Sequence, residues 1–247
     1  MSFYSRLAEH YDLLFPFDEL QFSFLEKVLD RDGSVAPHRY LDIGCGTGTM
    51  LSAFSDRFAQ VYGLDLDPSL LALAAQKMLP GEGKKVDLLE GDMRNLRGFF
   101  PEEEFSFITC LGNTLVHITS SAAIIDFLSS VRSIMEGQGV LVFQIINYDR
   151  ILDQGIRGLS PIVTEGISFE RYYSLPKDNG LIDFDTVLND TEEEGDEVTA
   201  TVELYPVRKE EMERSLLSAG FTKYTFYGDF NGSSWKPDSL LLIGVCS

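Results

Sequence analysis

Short apolar runs alternate with helical segments as far as Ile146. The runs have the length of strands and lie at residues 40–43, 61–64, 86–89, 105–111 and 140–146. Apolar residues recur at intervals of three and four in the helical segments, which lie at residues 20–29, at 49–58, from Pro68 onwards and at 122–135. This alternation of strand and helix predicts a doubly wound α/β sheet of parallel strands.

The pattern changes after Tyr148. Three strand-like segments follow without helices between them, which predicts antiparallel pairing, at residues 167–175, 181–188 and 198–205. Helical spacing returns at residues 210–219 and ends at Gly220, and two final strand-like runs complete the sheet. We therefore predict a main domain formed by residues 1–147 and 207–247. An antiparallel β insert, residues 148–206, would cover the substrate as a lid.

Acidic residues outnumber basic ones. The chain of 247 residues has 39 Asp and Glu against 20 Lys and Arg, a formal charge of −19. Binding to nucleic acid or to an acidic membrane surface relies on a cationic face. We therefore expect a small molecule as the partner and neither nucleic acid nor membrane, while the sequence leaves homo-oligomer formation open.

The remaining composition favours a cytoplasmic protein without a metal. The first residues carry charged side chains where a signal peptide needs an apolar core. No apolar run is long enough to span a bilayer. The cysteines Cys45, Cys110 and Cys246 are far apart and form no C-x-x-C pair. We expect them to be reduced thiols rather than a disulfide or a metal site.

A glycine-rich segment follows the first predicted strand. It reads Leu-Asp-Ile-Gly-Cys-Gly-Thr-Gly over residues 41–48, and a helix starts directly after it. Glycine lets a backbone turn sharply and approach a bound molecule where a Cβ would collide. Dehydrogenases separate their last two glycines by two residues and bind a pyrophosphate. Here one residue separates Gly46 from Gly48 and Asp42 lies inside the segment, which favours a zwitterionic ligand over a phosphate.

Acidic segments also follow the next two strands. The second strand ends in Gly-Leu-Asp-Leu-Asp-Pro and the third in Gly-Asp-Met-Arg. Asp65 is placed to accept both hydroxyls of a ribose, whereas Asp67, directly before Pro68, has the position of a helix cap. The carboxylate of Asp92 beside the apolar Met93 suits the edge and face of an adenine. Parallel strands present their carboxyl ends at one edge, so we expect these segments to line one crevice.

Together the three segments resemble those of the class I S-adenosylmethionine-dependent methyltransferases, and the similarity extends over essentially the whole chain. The resemblance implies a Rossmann-like, seven-stranded sheet whose last strand pair is antiparallel. It also implies S-adenosylmethionine as cofactor, S-adenosylhomocysteine as product, and no metal. The glycines would line the methionine part of the cofactor, and the acids would hold its ribose and adenine. The cofactor-binding residues that it implies are Tyr11, Gly44, Cys45, Gly46, Gly48, Asp65, Leu66, Asp92, Met93 and Leu111.

A narrower resemblance is to the glycine and sarcosine N-methyltransferases. Residues 110–117 read Cys-Leu-Gly-Asn-Thr-Leu-Val-His and resemble that group's C-L-G-N-S-x-x-H. Residues 147–152 read Asn-Tyr-Asp-Arg-Ile-Leu and resemble its N-Y-D-x-I-L. Tyr-Pro at 205–206 and Gly-Asp-Phe at 228–230 are similar to two further segments of the group.

Four candidate residues on the acceptor side, and one on the cofactor side, each have a second interpretation. With the narrower resemblance, Asn113 and His117 are the catalytic candidates, since an amide orients an amine and an imidazole takes its proton. Alone, they would be a loop residue in a left-handed conformation and a structural histidine. Tyr172 and Tyr205 are candidates for binding the acceptor, although tyrosines in strands usually serve packing. Tyr11 belongs to a segment that resembles the one folded over the cofactor, and aromatic packing explains it equally well.

One position departs from the narrower group. The glycine-methylating enzymes have an arginine directly before N-Y-D that binds the substrate carboxylate, and this chain has Ile146 there. An aliphatic side chain makes no charge-assisted contact. Arg150, Arg157 and Arg171 are nearby in sequence but not at the matching position. We therefore expect Ile146 to contact a neutral or apolar part of the acceptor, and glycine to be a poor substrate.

The sequence thus predicts an S-adenosylmethionine-dependent methyltransferase that acts on a small molecule. In-line displacement needs mainly a nucleophile with a free lone pair placed behind the methyl group. An amine nitrogen is the favoured acceptor. A hydroxyl or an amino sugar is the alternative within enzymes, and a non-catalytic S-adenosylmethionine-binding protein is the alternative outside them.

Overall fold

The computed structural model describes residues 3–30, 38–78, 85–102, 104–164, 166–190 and 197–247, with the backbone alone for residues 3–6 and 190. Its helices are α1 Phe3–Leu14, α2 Glu19–Leu29, α3 Thr49–Phe54, α4 Pro68–Lys77, α5 Leu96–Phe99, α6 Ser121–Ser133, α7 Tyr148–Asp153 and α8 Lys209–Ser218. Its strands are β1 Arg39–Ile43, β2 Gln60–Asp65, β3 Lys85–Glu90, β4 Phe105–Cys110, β5 Met135–Ile146, β6 Gly158–Thr164, β7 Ile167–Tyr173, β8 Ile182–Asp190, β9 Glu197–Leu204, β10 Tyr224–Tyr227 and β11 Leu241–Cys246. Single 3₁₀ turns cover Met93–Asn95 and Thr114–His117.

The large sheet confirms the predicted fold class. Within the described residues it has seven strands in the order β10-β11-β5-β4-β1-β2-β3. Strands β1 to β5 are parallel, whereas β11 pairs antiparallel with both β5 and β10. Buried side chains of α6 and α8 belong to one apolar cluster and those of α2 and α3 to another. The sheet is therefore covered by helices on both faces, as a parallel sheet requires.

Two predicted helix boundaries are confirmed by cap geometry. Asp67 caps α4, since its side chain accepts hydrogen bonds from the N–H groups of Ser69 and Leu70 at 2.7 and 3.3 Å. Gly220 follows α8 with a φ of 92°, a left-handed conformation that favours glycine. The helix predicted at residues 49–58 is shorter in the structure: α3 ends at Phe54, and a turn follows.

A second sheet lies between α7 and α8. It pairs β6, β7, β8 and β9 in chain order, with every described pair antiparallel. One of its faces, the inner face, packs Ile167, Phe169 and Leu188 against Leu14 of α1. The opposite, outer face includes the exposed Tyr172. The insert thus lies over the N-terminal helix.

Strand β6 was not predicted, because Gly158 and Pro161 interrupt its apolar pattern. Proline lacks the N–H that a central strand needs, so strands contain it mainly at a sheet edge. Strand β6 is the edge of its sheet, and its register with β7 shifts between Leu159 and Ile162.

Among the described residues, the structure has no helix with the length and apolar character of a membrane span.

Candidate active site

The candidate site lies at the switch point of the large sheet. Strand β1 pairs with β2 on one side and with β4 on the other, so the loops after β1 and β4 diverge at the carboxyl ends of the strands. Open α/β sheets bind ligands in this crevice. Thr114, after β4, packs on the loop after β1, since a Cβ on Gly44 would lie 2.5 Å from the Thr114 methyl carbon. Glycine at this position lets the two loops meet.

The glycine segment uses its N–H groups within the protein. Gly44 and Gly46 have φ values of 74° and 55°, the left-handed region. The N–H groups of Gly44 and Cys45 donate to the carbonyl of Leu64 at 2.7 and 3.1 Å. The N–H of Gly46 donates to the Asp65 carboxylate at 2.8 Å. Phosphate binding in a glycine loop requires N–H groups directed at the ligand. The segment therefore fits the predicted zwitterion and not a phosphate.

Cys45 and Gly48 shape this segment through packing. The Cys45 thiol is buried, and burial raises its pKa, so it stays a neutral thiol. Gly48 precedes α3 with a φ of 73°, and a Cβ there would lie 3.0 Å from the Cβ of Ala74. A residue with a side chain would therefore strain this helix start and separate it from α4.

Two carboxylates lie beside the glycine segment. Asp42 accepts a hydrogen bond from the Thr109 hydroxyl at 2.6 Å, and burial raises the pKa of Asp42 to about 7. Asp65 accepts from the N–H groups of Gly46 and Asp67 at 2.8 and 2.9 Å, and burial raises its pKa as well. A buried carboxyl pair disfavours an anion and favours a cationic group, such as an ammonium.

Helix α1 lies against the glycine segment. A Cβ on Gly46 would be 3.3 Å from the Tyr11 hydroxyl, and burial together with nearby carboxylates raises the pKa of Tyr11 to about 12. Asp12 accepts hydrogen bonds from the Thr47 hydroxyl at 2.6 Å and from the Lys77 ammonium at 2.7 Å. Lys77 also donates to Thr47 at 2.8 Å. These polar contacts attach α1 to the loop that is predicted to hold the cofactor.

The carboxylate of the third predicted segment is paired. Asp92 accepts from the backbone N–H of Arg94 at 2.9 Å and both its oxygens contact the Arg94 guanidinium. The hydrogen bonds from Arg94 lower the pKa of Asp92. Met93 is partly buried against the core, and Leu66 is 70% exposed at the end of β2. An adenine at Asp92 would therefore compete with an exposed arginine for the same carboxylate.

Asn113 links the loop after β4 to the end of β5. Its φ of 68° lies in the left-handed region, as predicted for Asn113 if it is simply a loop residue. Its Oδ1 accepts from the N–H of Ile146 at 3.0 Å, and its Nδ2 donates to the Tyr148 hydroxyl at 3.0 Å. The carbonyl of the buried Leu111 accepts from the Thr114 hydroxyl at 2.7 Å. Asn113 is therefore a positioning residue for Tyr148 and Ile146.

His117 ends the turn that follows Asn113. Its side chain reaches solvent, and the packing around the rest of the ring lowers its pKa below the ordinary 6.5. The imidazole is therefore neutral at pH 7 and able to accept a proton. The same turn contacts the insert, since the N–H of Tyr205 donates to the carbonyl of Val116 at 2.9 Å.

The structure does not bring the side chains of the two predicted insert tyrosines to Asn113. Tyr172 is on the outer face, where its hydroxyl contacts Glu170. The Tyr205 hydroxyl donates to Glu211 of α8 at 2.6 Å. Both side chains are thus engaged away from the loop after β4.

An insert residue that packs on Tyr148, the partner of Asn113, is Tyr173, the neighbour of Tyr172 in β7. It is buried, and its ring centroid lies 6.2 Å from that of Tyr148. Side chains in a strand alternate between faces. Tyr173 shares a face with the apolar Ile167 and Phe169, and that period of two is the signal that identifies it.

The sequence reasoning gave no role to Tyr148, the middle residue of Asn-Tyr-Asp. The Asn147 amide donates to three carbonyls of the C-terminal loop, those of Lys236, Pro237 and Ser239, at 3.4, 3.0 and 2.9 Å. Asp149 accepts from the Arg208 guanidinium at 3.2 Å. The outer two residues of the motif are therefore structural, and they hold Tyr148 against Asn113.

The described residues fit S-adenosylmethionine. Its amino-acid end carries an ammonium, and the crevice offers the carboxylates of Asp42 and Asp65. Its ribose needs a hydrogen-bond acceptor, and Asp65 is the acid at the end of β2. The side chains that line the crevice are thus carboxylates and uncharged groups rather than basic groups, as a cationic cofactor requires.

Comparison with known proteins agrees with this geometry. Residues 41–139 match a family described as methyltransferase domain. Over 192 residues the chain is 29% identical to a glycine/sarcosine/dimethylglycine N-methyltransferase of Actinopolyspora halophila. That alignment covers 77% of this chain and 32% of the relative, so the chain spans about a third of the relative's length.

Two solved structures share the fold. One is an S-adenosylmethionine-dependent methyltransferase from Clostridium acetobutylicum, with a TM-score of 0.81 and 18% identity over 99% of this chain and 98% of that one. The other is an amino pentose methyltransferase from Micromonospora echinaspora with bound S-adenosylmethionine. It has a TM-score of 0.69 and 23% identity over 98% of this chain and 97% of that one.

Proposed function

We propose that the chain is a class I S-adenosylmethionine-dependent methyltransferase and that it transfers a methyl group from this cofactor to an amine nitrogen of a small molecule. One observation carries the proposal. The crevice with its two carboxylates adjoins an acceptor side built from uncharged hydrogen-bonding groups, namely Asn113, His117 and Tyr148. Such a site favours the cationic cofactor and a neutral nucleophile.

On the cofactor side, the glycine segment and Asp65 hold the methionine and ribose parts. Tyr11 covers them from α1, while Asp92 and Met93 contact the adenine. When bound, S-adenosylmethionine supplies a methyl group that its sulfonium charge already activates. The protein then mainly orients the nucleophile and excludes water.

On the acceptor side, the amine has to arrive as a free base or lose a proton. Burial raises the pKa of Tyr148 well above its ordinary value and that of Tyr173 to about 12. Both hydroxyls therefore remain uncharged and present oxygen lone pairs to an N–H group. His117, neutral at pH 7 because its pKa is lowered, takes the proton that the methylated nitrogen releases.

Ile146 decides which amines fit. Its backbone is fixed by Asn113, and its side chain packs against the apolar cluster that includes Tyr148 and Tyr173. A carboxylate next to Ile146 would be buried without a partner, which is costly. An acceptor whose amine has an uncharged group beside it, as in an amino sugar, fits this position better than glycine.

The test measures methyl transfer from radiolabelled S-adenosylmethionine to matched acceptors. The panel pairs alkylamines with alcohols of the same length, and an amino sugar with its hydroxyl counterpart. The proposal expects label in the amine of each pair and little in the alcohol. Label mainly in the alcohols would make the protein an O-methyltransferase. Tight S-adenosylhomocysteine binding without transfer to any acceptor would favour a non-catalytic binding protein.

A further inference from the structure

Arg171 is a charged residue on the inner face of the insert, the face that packs against α1 and Tyr148. Opposite residues of antiparallel strands share a face, and Arg171 lies opposite Leu159 of β6 and Thr186 of β8. Thr186 in turn lies opposite Ala200 of β9. Among the residues whose side chains the structure describes, the other members of this face are Ile162, Thr164, Ile167, Phe169, Tyr173, Ile182, Phe184, Leu188, Val198, Val202 and Leu204. Within this described part of the face, Arg171 is thus the one charge in an otherwise uncharged surface.

The inner face is covered at two ends, and Arg171 lies between them. At one end, Phe169 contacts Phe15 of the α1 segment, with ring centroids 5.9 Å apart. At the other end, Tyr173 contacts Tyr148, which is held by Asn113. The residues beside Arg171 in β8 and β9, a threonine and an alanine, are small. Arg171 therefore lies on the same face as Tyr173 and two residues away from it along β7.

The guanidinium of Arg171 is partly buried and has no acidic partner in the described part of the chain. Its Nη2 donates to the carbonyl of Ser160 at 2.7 Å, and its Cζ lies 5.6 Å from the centre of the Phe169 ring. Its Nε is buried without a hydrogen-bond partner among the described residues. Burial lowers the pKa of Arg171, although arginine stays charged at neutral pH. A partly buried charge without an anion is costly, so the arrangement fits a ligand that brings one.

We propose that Arg171 binds an anionic group, a carboxylate or a phosphate-type oxyanion, of the methyl acceptor. This inference rests on the proposed function and specifies its substrate class. The acceptor is an amine whose acidic group lies away from the nitrogen, so that the acid contacts Arg171 while an apolar part contacts Ile146. Glycine, whose carboxylate is next to its amine, does not meet this requirement.

The experiment compares acids with uncharged amides of the same shape. The probes are β-alanine, γ-aminobutyrate and δ-aminovalerate, the corresponding amino amides, and aminopropylphosphonate as the phosphate-type arm. Binding to the complex of the full chain with S-adenosylhomocysteine is measured by calorimetry, and methyl transfer is measured in parallel. Wild type is compared with Arg171→Met and Arg171→Lys. The control is Arg157→Met, an exposed arginine of the same insert.

We expect at least one acid to bind the wild type better than its amide. Arg171→Met should weaken that acid by roughly 10- to 100-fold, the range for a lost charge-assisted hydrogen bond, and leave the amide unchanged. Arg171→Lys should retain part of the preference, and Arg157→Met all of it. Unchanged S-adenosylhomocysteine affinity in the variants shows that the site is folded.

Two results would overturn the inference. One is an absence of any preference for acids in the wild type, and the other is a preference that persists in Arg171→Met. If amines are methylated while either result holds, the proposed function stands and the inference fails. If acids bind through Arg171 but no amine is methylated, the anion site stands and the proposed function fails.

Discussion

Asp65 makes its contacts through both carboxylate oxygens. One accepts the N–H of Gly46 and the other the N–H of Asp67, so the acid connects the glycine segment to the turn after β2. A carboxylate has about four lone-pair positions, so it can accept further hydrogen bonds. Asp65 is therefore able to hold a ribose while it keeps the loop in place.

Replacing Asp65 by alanine should weaken S-adenosylhomocysteine binding by about 2–3 kcal/mol, since a charged acceptor for the ribose hydroxyls is lost. Calorimetry on the folded variant measures this change. Asp126→Ala, an exposed aspartate of α6, serves as the control and should leave the affinity unchanged. An Asp65→Ala protein with wild-type affinity would remove this residue from the cofactor site.

Asp42 should make the stability of the protein depend on pH. Its folded pKa is raised from 3.8 to about 7, so between these values the folded protein keeps a proton that the unfolded chain has released. Stability therefore falls as pH rises through this window. In an Asp42→Asn variant, the side-chain amide oxygen still accepts from Thr109, and the amide does not titrate.

The difference in unfolding free energy between Asp42→Asn and wild type should grow in favour of the variant between pH 5 and pH 8, by on the order of 2 kcal/mol. Urea unfolding at both pH values measures it, and other titrating groups cancel in the difference. Parallel pH profiles for the two proteins would mean that Asp42 is charged in the folded state.

Asn113 and His117 should affect turnover rather than cofactor binding. Asn113→Ala loses the hydrogen bonds that place Tyr148 and Ile146, and we expect kcat to fall on the order of 10- to 100-fold. His117→Ala should lower kcat by about 100-fold, and it should also remove the fall in activity that we expect of the wild type when His117 becomes protonated at low pH. His38→Ala, an exposed histidine, is the control. Loss of S-adenosylhomocysteine binding in either variant would instead assign that residue to the cofactor side.

At the scale of elements, α1 depends on a small polar cluster for its position over the cofactor loop. Lys77 of α4 contacts both Asp12 of α1 and Thr47 of the glycine segment. The ion pair is partly exposed, with 30% of the lysine and 49% of the aspartate side chain accessible, so its contribution is modest. This cluster joins three elements that are far apart in sequence.

Lys77→Met should therefore loosen α1 and weaken S-adenosylhomocysteine binding by about 1 kcal/mol, roughly fivefold. Hydrogen exchange in α1 should become faster in the same variant. Asp12→Asn should have a similar effect, and the double variant should weaken binding by less than the sum of the two single variants, because both remove the Lys77–Asp12 ion pair. Lys85→Met, which breaks the ion pair with Asp87 on β3, is the matched control. Additive effects of the two substitutions would show that the pair does not act as a unit.

The sequence predicted those elements whose local pattern and tertiary role agree. The parallel strands, α4 with its Asp67 cap and the glycine segment are of this kind. It did not predict α1 as a helix or β6 as a strand, because their positions depend on packing across the insert and on an edge that tolerates Pro161. It also assigned Tyr172 rather than Tyr173 to the acceptor. Strand limits from sequence are uncertain by a residue or more, and one residue changes the face.

At the scale of the whole molecule, the proposed acceptor site has two sides, the large sheet and the insert. In this proposal the large sheet supplies Asn113, His117 and Ile146, and the inner face of the insert supplies Tyr173 and Arg171. Cofactor chemistry therefore depends on the sheet, and the choice of acceptor depends on how the insert lies over it. Relatives that share the sheet can differ in their acceptors for this reason.

Glycine and sarcosine should consequently be poor substrates. Ile146 stands where the glycine-methylating enzymes have their carboxylate-binding arginine, so the carboxylates of these substrates have no adjacent cation. We therefore expect catalytic efficiencies below about 10⁴ M⁻¹s⁻¹, the lower end of the usual enzyme range. Steady-state assays against uncharged amines of similar size give the comparison. Efficient glycine turnover would require one of the nearby arginines to bind a carboxylate at the amine itself.

Methyl transfer to nitrogen is the central claim, and product analysis tests it most directly. The full chain is incubated with S-adenosylmethionine that carries a carbon-13 methyl group and with the amine that is turned over fastest. The methyl signal is then followed by nuclear magnetic resonance. The account predicts that the signal moves from the sulfonium to an N-methyl position while S-adenosylhomocysteine accumulates in equal amount. An O-methyl signal, or no transfer by a protein that binds S-adenosylhomocysteine at one site per chain, would contradict it.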